Sequence, residues 1–236
     1  MFVPPLLTVS GLSKSYGALS AISDVSFHVN TGEILGLIGP NGAGKTTLFE
    51  CLAGVQPASS GALHGPDQQT LDAHGRAATM FYVPDGIRPY PEQPLGWVLN
   101  FALGFFGGHR ERARRTIEQL HLVDLLRQPV GVLSKGQAKR AMLAFGLLTP
   151  QPLLMIDEPF EGLDLRQTRE TAAALREHAD AGRTLFLSIH QINDAARVCD
   201  RLVLLSGGRK RGEGTAAQLM ARCEASDLEE AFLALT

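Results

Sequence analysis

The densest chemistry in this sequence lies in Gly39, Pro40, Asn41, Gly42, Ala43, Gly44, Lys45, Thr46 and Thr47, which follow the pattern G-x-x-x-x-G-K-[ST]. Glycines at those places let backbone N–H groups turn inward around phosphate oxygens, and a helix starting at Lys45 adds positive potential. Lys45 is expected to reach the β- and γ-phosphates of ATP, and the Thr46 hydroxyl to hold Mg2+. A second constellation is Leu153-Leu-Met-Ile-Asp157-Glu158, an apolar run that delivers two carboxylates at its end. Asp157 suits Mg2+ coordination, direct or through a water, and Glu158 can polarise an attacking water as general base. Hydrolysis of a nucleoside triphosphate is the chemistry both sets serve.

Between them stands Leu133-Ser134-Lys135-Gly136-Gln137, directly before a helical pattern. Alone, Ser134 would read as a helix N-cap. The string resembles the LSGGQ signature of the ABC ATPases, and it precedes the Asp-Glu strand as in that family. The resemblance covers nearly the whole chain. It implies that Tyr16, in Lys14-Ser-Tyr-Gly17, stacks on adenine, that Asp164, in Gly162-Leu-Asp164, belongs to the D-loop, and that His190 contacts the γ-phosphate. It also implies that Ser134, Lys135, Gly136 and Gln137 act on ATP bound by an opposite protomer, so that one chain holds half a site.

Two positions depart from the family pattern. Where relatives usually carry Gln after a Tyr-Val-Pro strand, this chain has Asp85, in Tyr82-Val83-Pro84-Asp85, and Lys135 replaces the first glycine of the signature. Asp85 is expected to converge with Asp157 and Glu158 on Mg2+, where an ionised aspartate accepts hydrogen bonds but donates none. The alternative is that Asp85 faces solvent while Gly86 lets the loop swing clear. Lys135 either points away from the phosphate or brings a cation to it.

The elements that must position these residues follow from periodicity. Glu33–Gly39 is a short apolar run ending in glycine and reads as a buried strand. Val25–Val29 alternates and reads as a half-exposed strand joined to it through the hairpin-like turn Asn30-Thr31-Gly32. Lys45–Gly54 carries helix formers and stops at a glycine. Thr79–Val83, Leu153–Ile156, Thr184–Ile189 and Leu202–Leu205 are four further short apolar runs. Leu165–Ala181 reads as a helix with Leu165, Ala172, Leu175 and Ala179 near one face. Strand and helix alternation of this kind predicts βαβ units and a mostly parallel sheet. From about residue 87 to 150 helical patterns dominate, including Glu111–Leu126 and Lys135–Leu148.

Within that stretch, Trp97–Phe106 is either core of a helical insertion or, by the resemblance, the groove that receives a short helix of a transmembrane subunit. His109–Arg115 reads as the solvated face of a helix, and Arg209-Lys210-Arg211 as the start of an exposed edge strand.

Composition sets the outer bounds. The chain has 236 residues, 44% hydrophobic and 19% charged, with a formal net charge of −2, so no electrostatic case exists for nucleic acid as a partner. The start MFVPPLLTVS lacks the charge of a signal peptide, and no apolar run approaches the roughly 20 residues needed to span a bilayer. Cys51, Cys199 and Cys223 show no metal-binding spacing and read as reduced packing thiols.

The predicted architecture is α/β: the P-loop ABC-ATPase fold with a mostly parallel sheet, an N-terminal antiparallel β portion and an inserted helical subdomain. One nucleotide-binding domain spans 1–236, with its α/β core at about 1–86 and 151–236 and the helical insertion at about 87–150. By the resemblance, the chain is the ATP-hydrolysing subunit of an ABC transporter, with ATP and Mg2+ as cofactors. Its partners are a second copy or a homologous ATPase subunit, and polytopic transmembrane permease subunits. It is expected in the cytoplasm, peripheral on the inner face of the cell membrane. Ser188–Arg201 and the tail Asp227–Leu233 resemble single-domain ATPases of exporters with type-2 permeases. The second reading is a soluble ABC ATPase of an assembly system such as iron–sulfur cluster biogenesis, and a third is an ATP-gated module that barely hydrolyses.

Overall fold

The computed structural model describes residues 4–236, so the part of the leader reading that falls on residues 1–3 lies outside the described residues. In chain order the strands are β1 (Leu7–Tyr16), β2 (Leu19–Val29), β3 (Ile34–Ile38), β4 (Ser60–His64), β5 (Met80–Val83), β6 (Leu153–Asp157), β7 (Thr184–Ile189), β8 (Arg201–Ser206) and β9 (Arg209–Gly214). The helices are α1 (Lys45–Ala53), α2 (Ala73–Thr79), α3 (Leu95–Phe106), α4 (Arg110–Gln119), α5 (Lys135–Leu147), α6 (Leu165–Asp180), α7 (Ile192–Val198), α8 (Ala216–Cys223) and α9 (Leu228–Leu235).

A six-stranded sheet runs β5-β6-β7-β3-β8-β9, parallel except for the antiparallel edge strand β9. Its central strands are apolar at successive positions because both faces are covered. Ile34 and Ile38 of β3, Leu154 and Ile156 of β6, and Leu185 and Leu187 of β7 enter one core, shared with α3, α5 and α6. Leu35 and Leu37, Leu153 and Met155, and Phe186 enter a second core beneath α1 and the N-terminal strands. There Phe186 packs against Phe49 of α1 and Phe27 of β2, with ring centroids 4.7 and 5.4 Å apart. That contact clamps the helix carrying Lys45 onto the sheet.

Two expectations change. The Asn30-Thr31-Gly32 turn forms no hairpin: β2 pairs with β1 in a separate antiparallel sheet of order β2-β1-β4, and β3 has both edges occupied by β7 and β8. The turn carries the chain from one sheet to the other. In α6 the buried face is Thr171, Ala174, Leu175, His178 and Ala179, while Leu165, the first residue after the Asp164 cap and at the edge of that face, is exposed. Strands β3, β5, β6, β7 and β8 and helices α1, α5 and α6 lie within two residues of their predicted spans, whereas β2 already begins at Leu19 and α4 stops at Gln119. Arg209–Arg211 begin the exposed edge strand as expected, and all three cysteines are free.

Candidate functional site

Because β3, β6 and β7 are neighbours and parallel, their C-terminal ends meet, and ligands of open α/β sheets bind at that end. The loop after β3, the Asp-Glu pair ending β6 and His190 after β7 thereby line one cleft of about 780 Å3, which Tyr16, Asp85 and Glu161 also border. Glycine is required at two points of the loop. A Cβ on Gly39 would lie 2.3 Å from the Leu205 carbonyl oxygen, and one on Gly44 would lie 2.6 Å from that of Ala21, where φ is +100°. Gly44 is also the N-cap of α1 and brings no side chain to cap it, so the first N–H groups of the helix remain open to an anion.

The charged groups are held in place by short contacts. Lys45 is buried; its Nζ donates to the carbonyls of Gly39 (2.8 Å) and Pro40 (3.4 Å) and stands 3.7 Å from Glu158 Oε1. Asp157 is 3% exposed. Its Oδ2 accepts from the Thr46 hydroxyl at 2.8 Å and the Tyr82 phenol at 3.4 Å, and its Oδ1 accepts from the Ser188 hydroxyl. Burial and the Asp157 charge push the Tyr82 phenol up, so it stays a donor. Glu158 sits at φ +51°, a left-handed conformation rare for a non-glycine residue and commonest where a site dictates it. Its N–H donates to the Ser188 carbonyl and hydroxyl, both at 3.1 Å. Burial raises the Glu158 carboxyl above its ordinary value, against the pull of Lys45. A raised carboxylate beside a lysine is suited to accept a proton from water.

At the rim, Tyr16 is 43% exposed with Lys14 Nζ 4.8 Å from its ring centroid, leaving its other side to a flat ligand. The signature residues do not border this cleft. Ser134 caps α5, its hydroxyl accepting from Gln137 N–H while the Gln137 side chain accepts from Ser134 N–H. Asp164 caps α6 in the same way. The two helix starts abut: a Cβ on Gly136 would sit 2.9 Å from the Gly162 carbonyl oxygen. Lys135 turns toward its own chain, Nζ to Glu161 Oε1 at 2.6 Å.

Asp85 requires a correction as a third metal carboxylate. Its Oδ1 is taken by the ammonium of Lys139, and among the described residues no group of three or more His, Cys, Asp or Glu side chains is arranged to hold a metal. Burial would raise the Asp85 carboxyl, but the Lys139 hydrogen bond and charge hold it below its ordinary value. Thr46 and Asp157 do supply a hard, oxygen-only pair that fits a divalent cation completed by phosphate oxygens and water.

Sequence reading missed Ser188, Tyr82 and Lys139. Ser188 had a signal, as the polar residue near the end of an otherwise apolar run. Tyr82 and Lys139 had none, since a Tyr in a strand and a Lys in a helix are ordinary.

This fold and cleft define a P-loop ATPase with its nucleotide end at β3, β6 and β7. A profile of the ABC transporter family matches residues 22–161. The Nod factor export ATP-binding protein I of Ralstonia nicotianae is 32% identical, over 97% of this chain and 73% of the relative. A sulfate/thiosulfate import ATP-binding protein, CysA of Nitrosomonas europaea, is also 32% identical, over 89% of this chain and 60% of the relative. A solved ATP-binding subunit of an ABC transporter superposes with a TM-score of 0.87 at 29% identity, covering 98% of this chain and 99% of the other. The chain belongs to the ABC transporter family: it is an ATP-binding subunit and an ATP hydrolase.

Proposed function

We propose that this chain is one nucleotide-binding domain that powers an ABC exporter by closing head to tail on a second ATPase subunit beneath transmembrane permease subunits. ATP lies in the cleft, with its phosphates on the open N-terminus of α1 and on Lys45, and its adenine on Tyr16. Mg2+ is held by Thr46 and Asp157, and it supplies charge neutralisation at the phosphates. Glu158 acts as general base and His190 reads the γ-phosphate. Ser134 and Gly136 serve the partner's nucleotide, a role supported by the exposure of Ser134 and by the position of both outside their own cleft.

The observation that carries the membrane partner is α3. It buries Val98, Leu99 and Ala102 and exposes Trp97, Phe101 and Phe105 on its other side. These three rings stack at 5.5 and 6.1 Å, and Phe101 and Phe105 line an apolar groove of about 460 Å3 together with Ile87, Pro89 and Tyr90. Surface aromatic clusters of this size are unusual unless a partner covers them. Among the described residues no helix is long and apolar enough to cross a membrane, so placement at the inner face would rest on that contact. Export is supported by the resemblance of Ser188–Arg201 and the tail, and by the Nod factor export relative.

Affinity purification from detergent-solubilised membranes tests the proposal. A polytopic protein should co-elute with the parent chain and be lost from a Trp97→Ser/Phe101→Ser double variant. Co-elution of soluble assembly factors in its place would overturn it.

A further inference from the structure

Lys139 is buried among apolar side chains of α5 and of the sheet, an unfavourable place for an ammonium unless partners surround it. Helix α5 is close on the sheet there; a Cβ on Gly146 would lie 2.8 Å from Val83 Cγ2. Lys139 Nζ reaches two elements at once. It pairs with Asp85 Oδ1, on the loop leaving β5, and donates to the backbone carbonyl of Asp157, at 3.3 Å, at the end of β6. The carboxylate of that same Asp157 holds Thr46. Asp85 borders both the nucleotide cleft and a narrow cavity of about 40 Å3 behind it, and Lys139 borders only the latter. The next residue, Gly86, turns left-handed at φ +69° with open space around it, so its own packing does not aim the Asp85 side chain.

We infer that Lys139 is a positioning residue for ATP hydrolysis, and that Asp85 and Lys139 act as one neutral unit that keeps a carboxylate at the cleft mouth turned away from the triphosphate. The inference rests on the site assignment above. Each partner fails differently when alone. Without Lys139, Asp85 keeps a full negative charge at the border of a cleft built for phosphates. Without Asp85, the ammonium is left buried with one carbonyl, and removing one member of a buried pair is costlier than removing both. The unit also joins α5, whose first residues carry the signature, to the strand end bearing Asp157, so loss of the pair loosens both at once.

The test is a cycle of Lys139→Gln, Asp85→Gln and the double variant, with Lys139→Arg as the charge-keeping control. Two quantities are read: the thermal unfolding midpoint, and the affinity for a fluorescent ATP analogue with Mg2+ or with EDTA. Lys139→Gln should weaken the analogue about fivefold, the scale of one uncompensated charge near the phosphates, in EDTA as well as in Mg2+. Asp85→Gln should chiefly lower the unfolding midpoint. Asp85→Gln/Lys139→Gln should recover most of both losses, and Lys139→Arg should keep the parental affinity. If Asp85→Gln does not fold, recovery of a folded double variant carries the same information. Strictly additive losses in the double variant, or parental affinity in Lys139→Gln, would overturn the inference. Lys45→Ala in the same assay separates this from the site assignment, since unchanged affinity there would remove the assignment itself.

Discussion

In the cleft, charged groups are answered within the chain: Lys45 by the Gly39 and Pro40 carbonyls, Asp157 by three hydroxyls, Asp85 by Lys139. Along the outer face of α3, Trp97, Phe101 and Phe105 meet only one another and the rings of Tyr90 and Phe106, and they remain 44%, 42% and 73% exposed. Preorganised polar groups in a buried cleft cost nothing to reorder when a charged ligand arrives. Exposed aromatic area is free energy still to be released, on covering by a second surface. One region holds its own charged groups in place before a ligand arrives, and the other keeps apolar area that only a second surface can cover.

The sharpest way to break the comparison is at Glu158. Glu158→Gln is expected to bind ATP and to lose about 10²–10⁴ in turnover, since the amide keeps the shape without the base. Steady-state phosphate release checks this, and parental turnover would remove Glu158 from its role. Next, Lys45→Ala should weaken ATP by about 1.5–3 kcal/mol, the worth of a charge-assisted contact, measured by calorimetric titration of the isolated chain.

The other region divides along α3 itself. Leu99→Ala, on its buried side, should cost about 2–5 kcal/mol of stability, whereas Phe105→Ser on the outer side should stay within about 0.5 kcal/mol. Denaturant unfolding of the two variants compares the faces directly. Equal losses would mean that the aromatic face supports the fold and is not reserved for a partner.

A smaller effect lies where α4 meets α6. Burial, with Arg112 and Arg183 nearby, brings His178 down to about 4 from 6.5. Its Nδ1 lies 3.3 Å from Arg112 Nη2 and its Nε2 3.3 Å from Thr116 Oγ1. As pH falls, the unfolded chain takes up this proton before the folded one. The contribution is therefore intact above about pH 6.5 and is lost progressively toward pH 4, amounting to about 3 kcal/mol. The unfolding midpoint of the parent should fall more steeply over that range than that of His178→Gln, and identical slopes would assign the acid sensitivity elsewhere.

The sequence by itself determined the parallel sheet, the phosphate loop and the Asp-Glu pair, because each depends on local facts. Glycines at Gly39 and Gly44, an apolar run ending in two carboxylates, and strand–helix alternation are short-range patterns that survive in one dimension. Only the tertiary structure decided what Asp85 and Lys135 do. Their partners, Lys139 at a separation of 54 residues and Glu161 at 26, come near only once α5 lies across β5 and β6. The same holds for Ser188, which meets Asp157 through the register of β6 on β7, and for the turn after β2, whose local signal of a hairpin lost to the two strands that claim β3. A side chain's partner is set by packing across the chain, and charge pairs and strand edges are where that packing overrides local preference.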